Sequence, residues 1–217
     1  MGKTKIPPPA KLIIGLIYKP VRQWFGSQYS QSHKQNAVKD KVLNILKRRF
    51  GEIDFLSQEL DFDYTDYYYP ELGKPLKRIH LSFKRLLCED KLIYIKLYTN
   101  KLEERFSRKQ KRRINIDPGF LSLGKVILAT TKNYSHRVYL GRGIFAEATL
   151  FYGTGKYKPL SHTTAKIAES HRRRRFSCKE ATFRPWPWAY PDYQSKEYIA
   201  VFNAIRKLYQ EQIKNVS

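Results

Sequence analysis

The chain has 217 residues, 41% of them hydrophobic, which is enough to bury a core and excludes wholesale disorder. Its net charge of +23 points to an anionic ligand or partner, RNA or a nucleotide foremost. Two cysteines, Cys88 and Cys178, lie far apart without C-x-x-C spacing, which excludes a disulfide framework and a zinc knuckle and fits a reducing, cytoplasmic setting.

Residues 11–19 (KLIIGLIYK) form a continuous β-type run stopped by Pro20, the pattern of a central strand covered on both faces. The prolines at 7–9 and the shortness of the run argue against a signal peptide or a transmembrane segment. Residues 20–33, rich in Gln and Ser, read as a loop. From Lys34, the residues Val38, Val42, Ile45, Leu46 and Phe50 keep helical spacing, basic residues fill the last turn, and Gly51 stands at the stop position. Ile53 and Phe55 alternate with polar neighbours as in a half-buried strand, and Ile79, Leu81 and Phe83 do the same after a loop around Pro70, Gly73 and Pro75. Leu92, Ile95, Thr99, Leu102 and Phe106 give a second helical stripe, and residues 113–117 (RINID) a further strand.

This β-α-β-β-α-β order is that of a ferredoxin-like split unit. Asp117-Pro118 then resembles an N-cap with proline at the first helical position, which predicts a helix to about Thr130. Residues 137–140 and 144–151 form a hairpin around Gly141-Arg142-Gly143. A last helix starts at Ser195 and buries Tyr198, Phe202, Ile205, Leu208 or Tyr209, and Ile213. The expected fold is one α+β domain over 1–217: a ferredoxin-like core extended by a helix, a β-hairpin and a C-terminal helix. Residues 161–184, polar and carrying Arg172-Arg173-Arg174-Arg175, read as a basic surface insertion.

The stretches at 63–68 (DYTDYY), 96–100 (KLYTN) with Glu103, 115–119 (NIDPG), 129–132 (ATTK), 135–141 (SHRVYLG) and 188–193 (WAYPDY) resemble a small bacterial family, domain of unknown function number 4416. The resemblance runs from about Pro9 to Gln212. It implies that residues 161–184 are an addition in this chain. A GTP-binding label carried by some members comes with no defined chemistry, so the resemblance supplies candidate positions rather than roles.

A P-loop is not written here: in Gly153-Thr154-Gly155-Lys156, Leu150 occupies the place of the first glycine and Tyr157 that of the Ser/Thr. Two H-x-[ST] triplets, His80-Leu81-Ser82 and His162-Thr163-Thr164, resemble those of two-histidine phosphoesterases, although His80 also reads as a solvent-facing strand residue. In the hairpin, Leu140 opposite Ile144 would set Arg137 opposite Glu147 as a cross-strand ion pair. His136 would share a face with Val138, Leu140, Ile144 and Ala146, as a core-edge histidine or as an acid–base group.

Asp117 reads as an N-cap or, beside Asn115 and Gly119, as part of an anion or metal site. Thr130, Thr131 and Lys132 at the predicted helix end suit an anion or ordinary dipole complementation. Lys96, Asn100 and Glu103 fall on one side of the second helix, as a site wall or a solvated row. The Tyr/Asp-rich loops, with Asp66 and Tyr67 in the first, could stack a base or cover the core. No metal-ligand spacing of the zinc type occurs, and the sequence leaves the identity of any cofactor or metal open.

The expected function is the binding of a phosphate-bearing ligand, nucleotide or RNA. Its binding residues would be Lys96, Asn100, Asn115, Lys132, Arg137, Asp66 and Tyr67, with His136, Glu147 and Asp117 as candidate catalytic groups. Alternatives are a phosphoesterase or nucleotidyl-transfer enzyme using His80 or His136 with Asp117 and Glu147, and a non-catalytic RNA- or protein-docking scaffold.

Overall fold

The computed structural model describes residues 2–20, 37–154 and 181–214. The Gln/Ser-rich loop and most of the arginine-rich insertion, His162 included, lie outside them, as does the chain from Gly155 onward in the glycine turn. The described elements are strands β1 (Ala10–Tyr18), β2 (Ile53–Leu56), β3 (Leu60–Asp61), β4 (Lys77–Leu87), β5 (Ile114–Leu121), β6 (Lys125–Thr130), β7 (Val138–Gly141), β8 (Ile144–Gly153) and β9 (Thr182–Pro185). The helices are α1 (Ala37–Phe50), α2 (Tyr69–Leu72), α3 (Leu92–Arg105) and α4 (Lys196–Lys214). The strands form one antiparallel sheet in the order β2-β4-β1-β5-β6-β8-β7, with β3 paired to β4 and β9 to β8. The chain is therefore a mixed α+β protein built on a large antiparallel sheet. Residues 182–184, at the end of the expected insertion, belong to β9 and so to this sheet.

Strand β1 is buried along its whole length because it is central and has a layer on each face. Leu12, Ile14 and Leu16 pack with Val42 and Leu46 of α1 and Ile95 and Leu102 of α3. The opposite face carries Ile13 and Leu121, which join Tyr198, Phe202, Ile205 and Tyr209 of α4. Ser195 caps α4, its hydroxyl accepting from the Tyr198 N–H at 3.2 Å.

That second layer changes the reading of β4. Alternation separates Ile79, Leu81 and Phe83 from Arg78, His80 and Ser82, and a polar set of that kind predicts a solvent face. Helix α4 covers it instead, so Arg78, His80 and Ser82 are all buried. His80 is not solvent-facing: its ring meets Tyr193, Tyr198 and Phe202 edge-on, and burial holds it well below the usual histidine range, with Arg78 adding to the effect.

The helix predicted from Asp117 to Thr130 is absent. Those residues form β5 and β6 joined at Ser122–Gly124, so Asp117 is a mid-strand residue, Thr130 closes β6 and Thr131-Lys132 follow it. The Asp-Pro pair imitates a helix start, yet the strand tolerates Pro118 for a geometric reason. Two residues before it, the Ile116 N–H and C=O point away from β1, toward the β6 side, where Pro118 has no N–H to offer. Strand β6 pairs with β5 only from Gly119 to Leu121. At Gly119 the two backbones are so close that a Cβ would sit 2.3 Å from the Ile127 carbonyl oxygen. Before Pro118 they part.

Candidate functional site

The parting of β5 from β6 opens a cleft of about 650 Å³. Side chains of α3 fill the place of the missing strand neighbour: the Glu103 Oε1 accepts the Ile116 N–H at 2.6 Å, and the Lys96 Nζ donates to the Ile116 carbonyl at 3.1 Å. Lys96, Asn100 and Glu103 thus form one wall of the cleft, and their i, i+4, i+7 spacing is the reason they share it. Burial pushes the Glu103 carboxyl up to about 7, against the pull of Lys96 and the Ile116 amide.

The floor is a network of charges. Asp117 accepts from Asn115 Nδ2 at 2.7 Å, and its carboxylate lies 3.8 Å from Lys96 Nζ and 3.4 Å from Arg78. Arg78 is almost fully buried, donates to Asp192 and to the Tyr193 hydroxyl, and keeps its charge because Tyr193, Asp192 and Asp117 outweigh the desolvation that burial imposes. Arg112 reaches from the turn after α3, makes a two-pronged pair with Glu71 at 2.6 and 2.9 Å, and donates to Asn115 Oδ1 at 3.0 Å.

At the far end stands the pair expected from the hairpin register. Val138 opposes Ala146 and Tyr139 opposes Phe145, which carries Arg137 to Glu147; the Arg137 Nε donates to Glu147 Oε2 at 2.8 Å. The turn is tighter than expected, with Gly141 paired to Ile144 and only Arg142-Gly143 between them, both at positive φ. The ion pair is buried rather than exposed, and the Arg137 Nη2 also donates to the Tyr190 hydroxyl at 3.2 Å.

His136 lies 3.3 Å from the same Glu147 oxygen and stacks on Trp188 at 5.7 Å. It is not the edge of an apolar core face, since Val138 and Leu140 are exposed.

Tyrosines from the two Tyr/Asp-rich loops make the rim: Tyr64, Tyr67 and Tyr68 from one, Tyr190 and Tyr193 from the other. Thr65 fixes the first loop by accepting from the Tyr67 N–H at 3.2 Å. Lys132 lies across the rim with its Nζ 3.6 Å from the centre of the Tyr67 ring.

Of the residues singled out by sequence, the cleft brings together Lys96, Asn100, Asn115, Asp117, Lys132, Arg137, Glu147 and Tyr67. His136 is outside the lining and meets it through Glu147 and the Tyr134 ring. Asp66 is not part of it: the side chain is 90% exposed and 3.9 Å from Lys74. His80 lies under α4, away from the lining. Sequence reasoning missed Arg78 and Arg112, and it singled out Asp192 and Tyr193 only as part of a Tyr/Asp-rich loop. Among the described residues no group of His, Cys, Asp and Glu could hold a metal ion, and no described helix is long and apolar enough to cross a membrane.

The fold and site define a mixed α+β protein with a polar, tyrosine-rimmed cleft between two parted strands. Residues 19–178 match the family model described as Domain of unknown function (DUF4416), and the chain belongs to that family. The matched span holds the α3 wall and the floor residues Arg78, Arg112, Asn115 and Asp117 but stops before Tyr190, Asp192 and Tyr193. Searches of curated proteins and of solved structures return no match.

Proposed function

We propose that the chain binds a small phosphate-bearing ligand of nucleotide size in this cleft. The volume falls in the range of small-ligand sites, and the rim offers aromatic faces to a flat ring. One observation carries the reading. Arg78, Lys96, Arg112 and Arg137 are each paired with a carboxylate, whereas among the described residues Lys132 has no carboxylate within ion-pair distance and lies against an exposed tyrosine. Its positive charge is the one left for an incoming anion. Calorimetric titration with nucleoside mono-, di- and triphosphates tests this. Binding that weakens at least tenfold in K132A with an unchanged melting temperature supports it; no heat with any nucleotide at millimolar concentration rejects it.

A phosphoesterase or nucleotidyl-transfer reading draws support from Glu103 rather than from histidine. A buried carboxyl raised to about 7 on the cleft wall suits a general acid or base, while His80 is walled off from the cleft. Turnover of a nitrophenyl phosphate ester that is lost in E103Q would favour it. The order β2-β4-β1-β5 in one half of the sheet, with α1 and α3 on one face, supports a ferredoxin-like core with added strands. The free, exposed Cys88 fits a reducing, cytoplasmic setting.

A further inference from the structure

On the sheet face opposite α4, a groove of about 480 Å³ runs between α1 and α3, lined by Lys41, Asn44, Ile45, Arg48, Arg105 and Phe106. The helices run antiparallel there, since Arg49 near the end of α1 lies over the Tyr98 ring in the middle of α3, while Arg105 and Phe106 at the end of α3 line the groove with the earlier α1 residues Lys41 to Arg48. Three cations and no acid line the groove. Among the described residues, none of Lys41, Arg48 and Arg105 has a carboxylate within ion-pair distance. Stabilising a helix C-terminus accounts for Arg48 and Arg105, but Lys41 is in the second turn of α1 and serves no such purpose. The following turn carries four more cations, Arg108, Lys109, Lys111 and Arg113, Arg112 being engaged with Glu71 in the cleft.

We propose that this groove docks the backbone of double-helical RNA, independently of the ligand in the cleft. Uncompensated cations on one face are the electrostatic footprint of a phosphate backbone. The one aromatic in the groove lining, Phe106, is partly buried and packed against the core rather than open to stack an unpaired base, which favours a duplex over a single strand. Asn44, exposed among the cations, offers both a donor and an acceptor, as the 2′-hydroxyls displayed beside the phosphates of an RNA duplex require.

The test is fluorescence anisotropy with a labelled RNA duplex of about 16 base pairs, titrated at several salt concentrations against the full chain and against K41Q/R48Q/R105Q. These three side chains are at the surface, and circular dichroism checks that the variant folds. The expected result is at least a tenfold loss of affinity in the triple variant and a fall of about 2 to 3 in the slope of log affinity against log salt, close to 0.9 per lost phosphate contact. An unchanged slope overturns the proposal. So does equal binding of a DNA duplex of the same sequence, or displacement of the RNA by polyglutamate at equal charge, which would mark the face as a site for an acidic protein. Affinity is also measured for K132A: a loss equal to that of the triple variant would place the duplex in the cleft and overturn the separate surface.

Discussion

Gly15 leaves the space that Arg78 fills. A Cβ at residue 15 would lie 2.9 Å from the Arg78 Nη2, in the middle of the sheet face that α4 covers. The guanidinium is anchored by Asp192 and Tyr193, so it has little freedom to retreat. G15A is expected to lower stability by about 1–3 kcal/mol, as overpacking does, read by urea denaturation. G119A should cost more, because its Cβ meets the backbone of Ile127 rather than the end of a side chain. Equal effects would show that Arg78 is no easier to displace than a strand.

The two acids that share Arg78 differ in burial, and so should their variants. Asp192 is buried with Arg78, and D192A leaves a buried cation with its principal partner gone, an effect of about 3–5 kcal/mol. The Asp117 side chain is 23% exposed, and D117A leaves the Arg78–Asp192 pair in place, so about 1–2 kcal/mol is expected. Denaturant midpoints of both variants check the order.

The raised carboxyl of Glu103 makes stability depend on pH in a defined direction. Its folded value of about 7 exceeds the ordinary 4.5, so the folded state holds the proton more tightly than the unfolded one. The stabilisation is complete below about pH 4.5 and is lost as pH rises through 7, amounting to about 3 kcal/mol. E103Q keeps an oxygen for the Ile116 amide but has no proton to lose. Its stability between pH 5 and 8 should be flatter than that of the wild type, as thermal melts across that range would reveal.

Hydrogen exchange can read the parted strands directly. The Ile116 amide has a side-chain acceptor instead of a strand neighbour, so its protection should fall by at least tenfold in E103A and persist in E103Q. Loss in both variants would mean that the charge, not the acceptor, holds the amide.

Much of this fold was legible in the sequence because its period and its caps agree. The unbroken apolar run of β1, the stripes of α1 and α3 and the Arg137–Glu147 pairing all followed from spacing alone. The failure at 117–130 came from weighing Asp-Pro as a local helix signal. The two glycines argue against a helix and the β-branched pair Val126-Ile127 for a strand, and Pro118 is acceptable in one only because its missing N–H faces a gap that no local rule reveals. Arg78 escaped notice for a related reason. Alternation separates the faces of β4 but does not say whether water or α4 covers the polar one.

Because helix side chains satisfy Ile116, the gap between β5 and β6 is preorganised, held open by α3 itself. The same economy restricts how the cleft's selectivity can be altered. Lys96 and Glu103 serve the backbone before they can serve any ligand, so a change at either one is a change to the sheet. Re-engineering for a different guest therefore has to proceed from Tyr67, Lys132 and Tyr190, whose side chains hold no strand together.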